Sequence, residues 1–333
     1  MRKTAIILTF AAVTLFILNA PARAGALSLT TDGISRGFVL TTFVDGYVFG
    51  NYGPIAQGIA PTGKVITGSA GDGNVYVFND VDNQHLSDAI SATPYTCQTS
   101  NCNYAMATAG GEVYGAQAFG GVYEHFDSTG GHTPIAGLNL NSLLGMWGNP
   151  VNGHLIAASY AGLVDIDPVA GTYRVINAGL FPDGVSVSSD GMTAYVENGG
   201  AVQSYNIATG ALIHTFITGH SPDGTGVIIG GPYDGDVVVN NNDGTVGLLD
   251  PSKADGDPLQ YVIIASGGSR GDFASPDRND GTLFLSELYE VDRLSCGPGC
   301  SIGVSSTPEP ATQAMFATGL LLVGLLRLPR KRR

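Results

Sequence analysis

Three aspartates occupy matching places along this chain. Asp183, Asp223 and Asp272 each stand where a repeated unit begins its innermost strand, and Gln57 holds that place in the first unit. Tyr104 and Leu144 fill it in the second and third units. A glycine follows at Gly58, Gly145, Gly184 and Gly224, with Ala105 and Phe273 replacing it in the other two. Units set around a common axis would turn the three consecutive carboxylates toward one half of its opening. Hard oxygen donors of this kind suit calcium or magnesium. The competing reading is that Asp-Gly pairs simply make the turns between units.

Other patterns carry less. Gly267-Gly-Ser269-Arg-Gly271 matches a nucleophile elbow, which needs a strand-to-helix turn, and no helical pattern follows it. Arg270-Gly271-Asp272 matches an integrin-type tripeptide that glycine-rich loops produce by chance. The run from Asp277 to Gly281 lacks the register of a calcium loop, because a sixth-position Gly281 puts Pro276 at the first ligand position. Of six histidines, only His220 stands near the start of an inner strand. His85, His125, His132, His154 and His214 fall in outer strands or loops.

The elements that position these residues are short strands and tight turns. Glycine numbers 48 of 333 residues, about twice the usual share of roughly 7%. Valine, isoleucine, leucine and aromatics recur between the glycines, which argues for an all-β chain and against disorder. The glycines that open the third strand of successive units are Gly73, Gly121, Gly162, Gly200 and Gly244, at steps of 48, 41, 38 and 44 residues. Four-stranded propeller blades repeat at about 40–50 residues. Six units are visible. Seven blades with one degenerate unit is the competing count. Residues 27–50, carrying Phe38-Val-Leu-Thr-Thr-Phe-Val, are expected to supply the strand that closes the ring against the last blade.

The "Gly-Ile-Ala-x-x-Gly" and "Gly-Asn-Val-Tyr-Val" segments of the first unit, with "Pro-Asp-Gly-Val-Ser-Val-Ser-x-Asp-Gly" of the fourth, resemble the NHL, YVTN and virginiamycin B lyase-like propellers. They are also similar to the gluconolactonase (senescence-marker) group. The resemblance spans most of residues 36–295. It implies a propeller fold, and in the lactonase and lyase members channel acids, asparagines or histidines around a divalent metal. A full lyase or lactonase set does not map onto these positions.

The two ends address the chain. Arg2 and Lys3, the apolar run Ala5–Leu18 and Ala22-x-Ala24 form the three parts of a secretory signal, with cleavage expected after Ala24. An uncleaved anchor is the alternative. At the other end, Pro308-Glu309-Pro310 precedes the apolar stretch Ala311–Leu326 and a terminal cluster of Arg327, Arg330, Lys331, Arg332 and Arg333. Sixteen helical residues reach about 24 Å, short for a hydrocarbon core of about 30 Å. The basic cluster predicts a cytoplasmic C-terminus. This layout resembles the PEP-CTERM sorting signal, and the resemblance covers the last 26 residues. It implies a single membrane helix recognised by an exosortase-like enzyme, then release to the cell surface or matrix of a Gram-negative bacterium. An ordinary tail anchor is the alternative. The expected division is a signal peptide over 1–24, a propeller over 25–307 and a sorting segment over 308–333.

The body between the signals carries seven basic against 27 acidic groups, a net of −20. Such a body repels nucleic acid and anionic polymers. The reading that follows is an exported, surface-directed, noncatalytic propeller that binds or scaffolds extracellular or exopolysaccharide matrix material. Its partners would be the Sec machinery, signal peptidase, the exosortase-like enzyme and an extracellular polymer. The alternative is a divalent-metal-dependent lyase or lactonase with its site in the channel.

Four cysteines fall into two close pairs, Cys97 with Cys102 and Cys296 with Cys300. An even count in an exported chain reads as disulfides, and local pairing is preferred among the three connectivities. A four-cysteine zinc site is the alternative. Unreduced peptide mapping of the mature chain is expected to give the two local links; a Cys97–Cys296 link would refute the pairing.

Overall fold

Short apolar runs ending in positive-φ glycines fold back as antiparallel hairpins. The structure is a computed structural model, and it describes residues 26–47, 53–95 and 104–303. Six sheets follow in chain order. Blade 1 runs Pro54–Ile59, Val65–Ser69, Asn74–Phe78 and Ser91–Pro94. Blade 2 holds Tyr104–Ala109, Glu112–Gln117, Tyr123–Phe126 and His132–Pro134. Blade 3 holds Ser142–Gly148, Leu155–Ser159, Gly162–Asp167 and Thr172–Asn177. Blade 4 is Val185–Val187, Thr193–Asn198, Ala201–Asn206 and Leu212–Phe216. Blade 5 is Pro222–Ile229, Val237–Asn241, Val246–Leu249 and Tyr261–Ser266. Blade 6 begins with Ala274–Pro276, Leu283–Ser286 and Val291–Ser295. The first strand of each blade packs on the first strands of its two neighbours, so the six form a closed ring. The chain is an all-β, six-bladed propeller.

Burial follows position in the blade. The innermost strand of blade 1 is buried at every residue, and so are seven of the eight in blade 5. Both faces of such a strand are covered, so its sequence shows a continuous run and no alternation. Outer strands are exposed: Thr172–Asn177 buries only Ile176. Between blades lie apolar clusters, such as Ile55, Val75, Met106 and Phe126 between blades 1 and 2. Val202, Phe216, Val239 and Leu249 do the same between blades 4 and 5.

The fourth strand of blade 6 comes from the other end of the chain. Val39–Asp45 pairs antiparallel with Val291–Ser295, as expected for residues 27–50. A second anchor was not evident from the sequence. Ser28–Leu29 adds to the outer edge of blade 5, pairing with Ser266 and Ala265. A five-residue helix, Thr31–Ser35, capped by the Thr30 hydroxyl, joins the two.

One cation ties the closure together. Arg293, in the third strand of blade 6, lies over the adjoining rings of Phe43 and Phe284, 5.0 Å from each centroid. Its guanidinium pairs with Asp80 and lies 3.3 Å from Asp82, both from blade 1. It also lies 3.2 Å from Asp277 and 3.2 Å from Asp280 of blade 6. Thr41 of the closing strand donates to Asp82 at 2.7 Å. The run at Asp277–Gly281 is therefore a hairpin that serves this ion-pair network.

The inner strands start at one face of the ring, here the upper face, and end at the lower. At the lower end Ser301–Ile302 pairs with Ile229 and Ile228 of blade 5. Gly303 donates its N–H to Val227, and a Cβ there would fall 2.3 Å from the Trp147 ring and 2.8 Å from Pro276. The chain thus crosses the lower end of the channel among blades 3, 5 and 6. A disulfide joins Cys296 and Cys300, with Cα atoms 5.8 Å apart. Cys97 and Cys102, the secretory signal and the 308–333 segment lie outside the described residues. Among the described residues no helix is long and apolar enough to cross a membrane.

Removing a buried ion-pair partner leaves uncompensated charge and costs about 3–5 kcal/mol. Arg293→Ala is expected to lose that much in urea unfolding. Arg174→Ala, on the half-exposed pair with Asp165, should lose within about 1 kcal/mol.

Candidate functional site

The aligned aspartates meet at the upper mouth. Asp183 precedes the inner strand of blade 4, Asp223 lies within that of blade 5, and Asp272 precedes that of blade 6. The glycine after each of the first two is what brings the strands together. A Cβ at Gly184 would fall 1.7 Å from the Asp223 carbonyl oxygen, and one at Gly224 would fall 2.4 Å from the Ala274 nitrogen. The Asp-Gly pairs of this chain therefore divide in two. At Gly73 and Gly244, with φ of 70° and 75°, glycine makes hairpins. At Gly184 and Gly224 it permits close approach, and the preceding carboxylates are presented to the channel mouth.

Asp223 is 1% exposed and Asp272 6% exposed. Between them stands Arg270, with Nη2 3.3 Å from Asp272 Oδ2 and 3.8 Å from Asp223 Oδ2. Arg270 Nε donates to Asn242 at 2.7 Å, which fixes the guanidinium. Asn240 donates to the carbonyl oxygens of Asp272 and Ser286 at 3.0 and 3.1 Å. Ser269 donates to Glu287 Oε2 at 3.0 Å. Both carboxylate oxygens of Asp223 and Oε1 of Glu287 are buried without a hydrogen bond of normal geometry. Asn242 still lies close enough to Asp223 to favour its ionised form slightly. Gln57 is 1% exposed, and its amide donates to Ser286 at 3.0 Å, one layer behind Asp272.

Burial dominates the electrostatics. It raises Asp183 to about 6, helped by Glu197 and opposed by Arg270. It raises Asp272 to about 7 against the pull of Arg270, with Asp183 and Glu287 adding to the rise. Glu287 is lifted to about 7 by burial, opposed by the Ser269 hydrogen bonds. Asp223 is pushed well above the usual carboxylate range by burial, Asp272 and Asp183.

A calcium or magnesium ion does not fit these residues. The place between Asp223 and Asp272 is taken by the Arg270 guanidinium, and Gln57 is committed to Ser286. Among the described residues no three histidine, cysteine or acidic side chains form a metal-ligating group. His220 is bonded to Asp243 at 2.7 Å and lies against Tyr261. The elbow-like Gly267–Gly271 segment leads into the inner strand of blade 6, and Ser269 is taken up by Glu287.

Arg270, Glu287, Glu197 and Asn240 were not identified as site residues from the sequence. Arg270 had a signal: it is one of seven basic residues in the body and stands two positions before an aligned aspartate. Glu197 lies near the end of a second strand and Glu287 just after one, where nothing in the spacing singles them out.

No family model matches the chain. No curated protein matches it in sequence. Solved structures share its fold. A gluconolactonase from Xanthomonas campestris superposes with a TM-score of 0.57 at 14% identity, over 82% of this chain and 97% of that one. A Thermus thermophilus protein named as an oxidoreductase (glucose dehydrogenase) gives 0.57 at 13% identity, over 78% and 100%. An auxiliary nutrient binding protein from Bacteroides thetaiotaomicron gives 0.52 at 11%, over 78% and 76%. At these identities the likeness establishes the propeller fold.

In the unfolded chain these mouth carboxyls ionise near pH 4. In the fold Asp183, Asp272 and Glu287 keep their protons to about pH 6, 7 and 7. Between those limits the folded state binds more protons, so their contribution to stability falls as pH rises from about 4 to about 7. Asp127 and Asp190, held low mainly by hydrogen bonds from Thr129 and Ser188, act below that window. Urea unfolding across pH 4–7 is expected to show a flatter decline for Asp272→Asn than for the parent chain. An unchanged slope would contradict the assignment.

Proposed function

We propose that this chain is an exported, surface-directed, noncatalytic propeller whose upper mouth binds extracellular matrix polymer. The observation that carries the reading is the buried carboxyl set around Arg270, in which Asp223, 3.8 Å from the guanidinium, has no hydrogen bond of normal geometry. An unsatisfied buried acceptor costs about 1–3 kcal/mol, and a ligand hydroxyl that donates to it recovers that cost. Arg270 and the protonated carboxyls supply donors, while the ionised ones accept. A net of −20 on the body disfavours polyanions, so the polymer is a neutral, hydroxyl-rich polysaccharide.

The ends of the chain fit this role. The secretory signal delivers the body across the inner membrane through the Sec machinery and signal peptidase. Pro308-Glu309-Pro310 marks the tail for an exosortase-like enzyme, and the apolar segment is a transient anchor. The destination is the cell surface or the extracellular matrix of a Gram-negative bacterium.

Carboxyls that change protonation near neutrality favour a second reading, a lyase or lactonase. Asp223 or Asp272 would move the proton, and Arg270 would stabilise developing negative charge. Two assays of the full-length chain separate the readings. Retention on a neutral exopolysaccharide is expected to weaken about tenfold in Asp223→Asn, as for one lost hydrogen bond, and to survive chelation. Hydrolysis of δ-gluconolactone that disappears in Asp223→Asn would instead establish the enzyme reading. Alanines at Pro308, Glu309 and Pro310 should leave the chain in the membrane fraction.

A further inference from the structure

A second concavity lies on the lower face, away from the mouth. It is a cleft of about 570 Å³ between two hairpins of blade 5, with Arg36 at its side. That volume is within the range of about 300–1,000 Å³ typical of small-molecule sites. One wall is the Gly230–Asp236 turn, whose carbonyls and N–H groups are used internally: Gly230 donates to Asp234 at 2.7 Å and Asp236 to Tyr233 at 2.9 Å. The other wall is the Asp250–Gln260 turn, where Asp250 accepts from Ser252 at 2.9 Å. Both walls are therefore built loops with a defined shape.

The lining mixes basic and acidic side chains. Two of the seven basic residues of the body, Arg36 and Lys253, face the same cleft as Asp236 and Asp250. Lys253 lies 4.0 Å from Asp250, and Arg36 packs 5.7 Å from the Tyr233 ring centroid. Asp236 is half-buried and its carboxyl accepts no hydrogen bond from the described residues. Burial and the neighbouring Asp250 push it up to about 7, against the pull of Arg36 and Lys253. Leu259, 56% exposed, supplies an apolar surface at the rim.

We propose that this cleft is a saccharide-binding site, taking one or two neutral sugar rings between Asp236, Asp250, Lys253 and Arg36. Paired acceptors and donors with nearly balanced charge match vicinal hydroxyls, each of which both donates and accepts. The acids discriminate against a polyanion, and the cations discriminate against a simple cation. The site is independent of the upper mouth, since no residue is shared.

The test titrates the full-length chain with cellohexaose and maltohexaose, with oligogalacturonate as the anionic control, and follows amide hydrogen exchange. Binding of at least one neutral probe is expected, with protection over 230–236 and 250–260. Asp236→Asn and Lys253→Ala should each weaken it about tenfold, as expected for loss of one charge-assisted hydrogen bond. Arg174→Ala, on the outer strand of blade 3 and in neither site, should leave it unchanged. Lys253 is exposed, so its variant keeps the fold and circular dichroism verifies this. Binding lost in Asp223→Asn and kept in the cleft variants would overturn the cleft and support the mouth. No neutral probe binding, or tighter binding of oligogalacturonate, would overturn the proposal outright.

Discussion

At the closure of the ring one guanidinium is shared by three parts of the chain. Arg293 belongs to blade 6, its acids Asp80 and Asp82 to blade 1, and the ring of Phe43 to the N-terminal closing strand. A propeller whose first and last blades part loses the inter-blade burial that makes each sheet stable, because a single blade cannot cover its own apolar faces. Arg293 is held in place by aromatic rings as well as by acids. Ser28–Leu29 extends the same logic to blade 5, giving the N-terminal segment a grip on two adjacent blades.

The upper mouth depends on that closure. Asp183, Asp223 and Asp272 come from blades 4, 5 and 6, and each is uncomfortable as an anion where it sits. The backbone contacts at Gly184 and Gly224 leave the strands no room to spread and relieve them. The fold thus stores electrostatic cost at one opening and supplies one compensating cation, Arg270, from the loop between blades 5 and 6. That concentration of cost at one opening is what supports the proposed binding role of the mouth.

Much of the architecture was legible. The spacing of Gly73, Gly121, Gly162, Gly200 and Gly244 marks third strands, and all five stand at or just before one in the structure. Phe38 to Val44 was readable as the closing strand because it is an apolar run with no hairpin partner of its own. The aligned aspartates were readable because inner strands begin at equivalent points in each repeat. Their meaning was not. Whether a glycine after aspartate makes a turn or clears space for a neighbouring backbone depends on φ and on what lies opposite, and neither is encoded in the dipeptide. Arg270 was hidden for a related reason: its loop has no fixed length from blade to blade, so no alignment carries it. Ser28–Leu29 is too short to show a strand period, and its partner lies more than 230 residues away.

The lower end of the channel has a mechanical side. A pull on the chain beyond Gly303 reaches the body first through the two-residue pairing of Ser301–Ile302 with the inner strand of blade 5. If that pairing yields, the next segment is the loop between Cys296 and Cys300. The covalent link there lets almost no chain pay out. The load then passes along the strand direction into Val291–Ser295, which is flanked by the closing strand on one side and Leu283–Ser286 on the other. A bridge that adds little to equilibrium stability, because its loop is short, thereby acts as a stop that spreads tension over a whole blade instead of one edge.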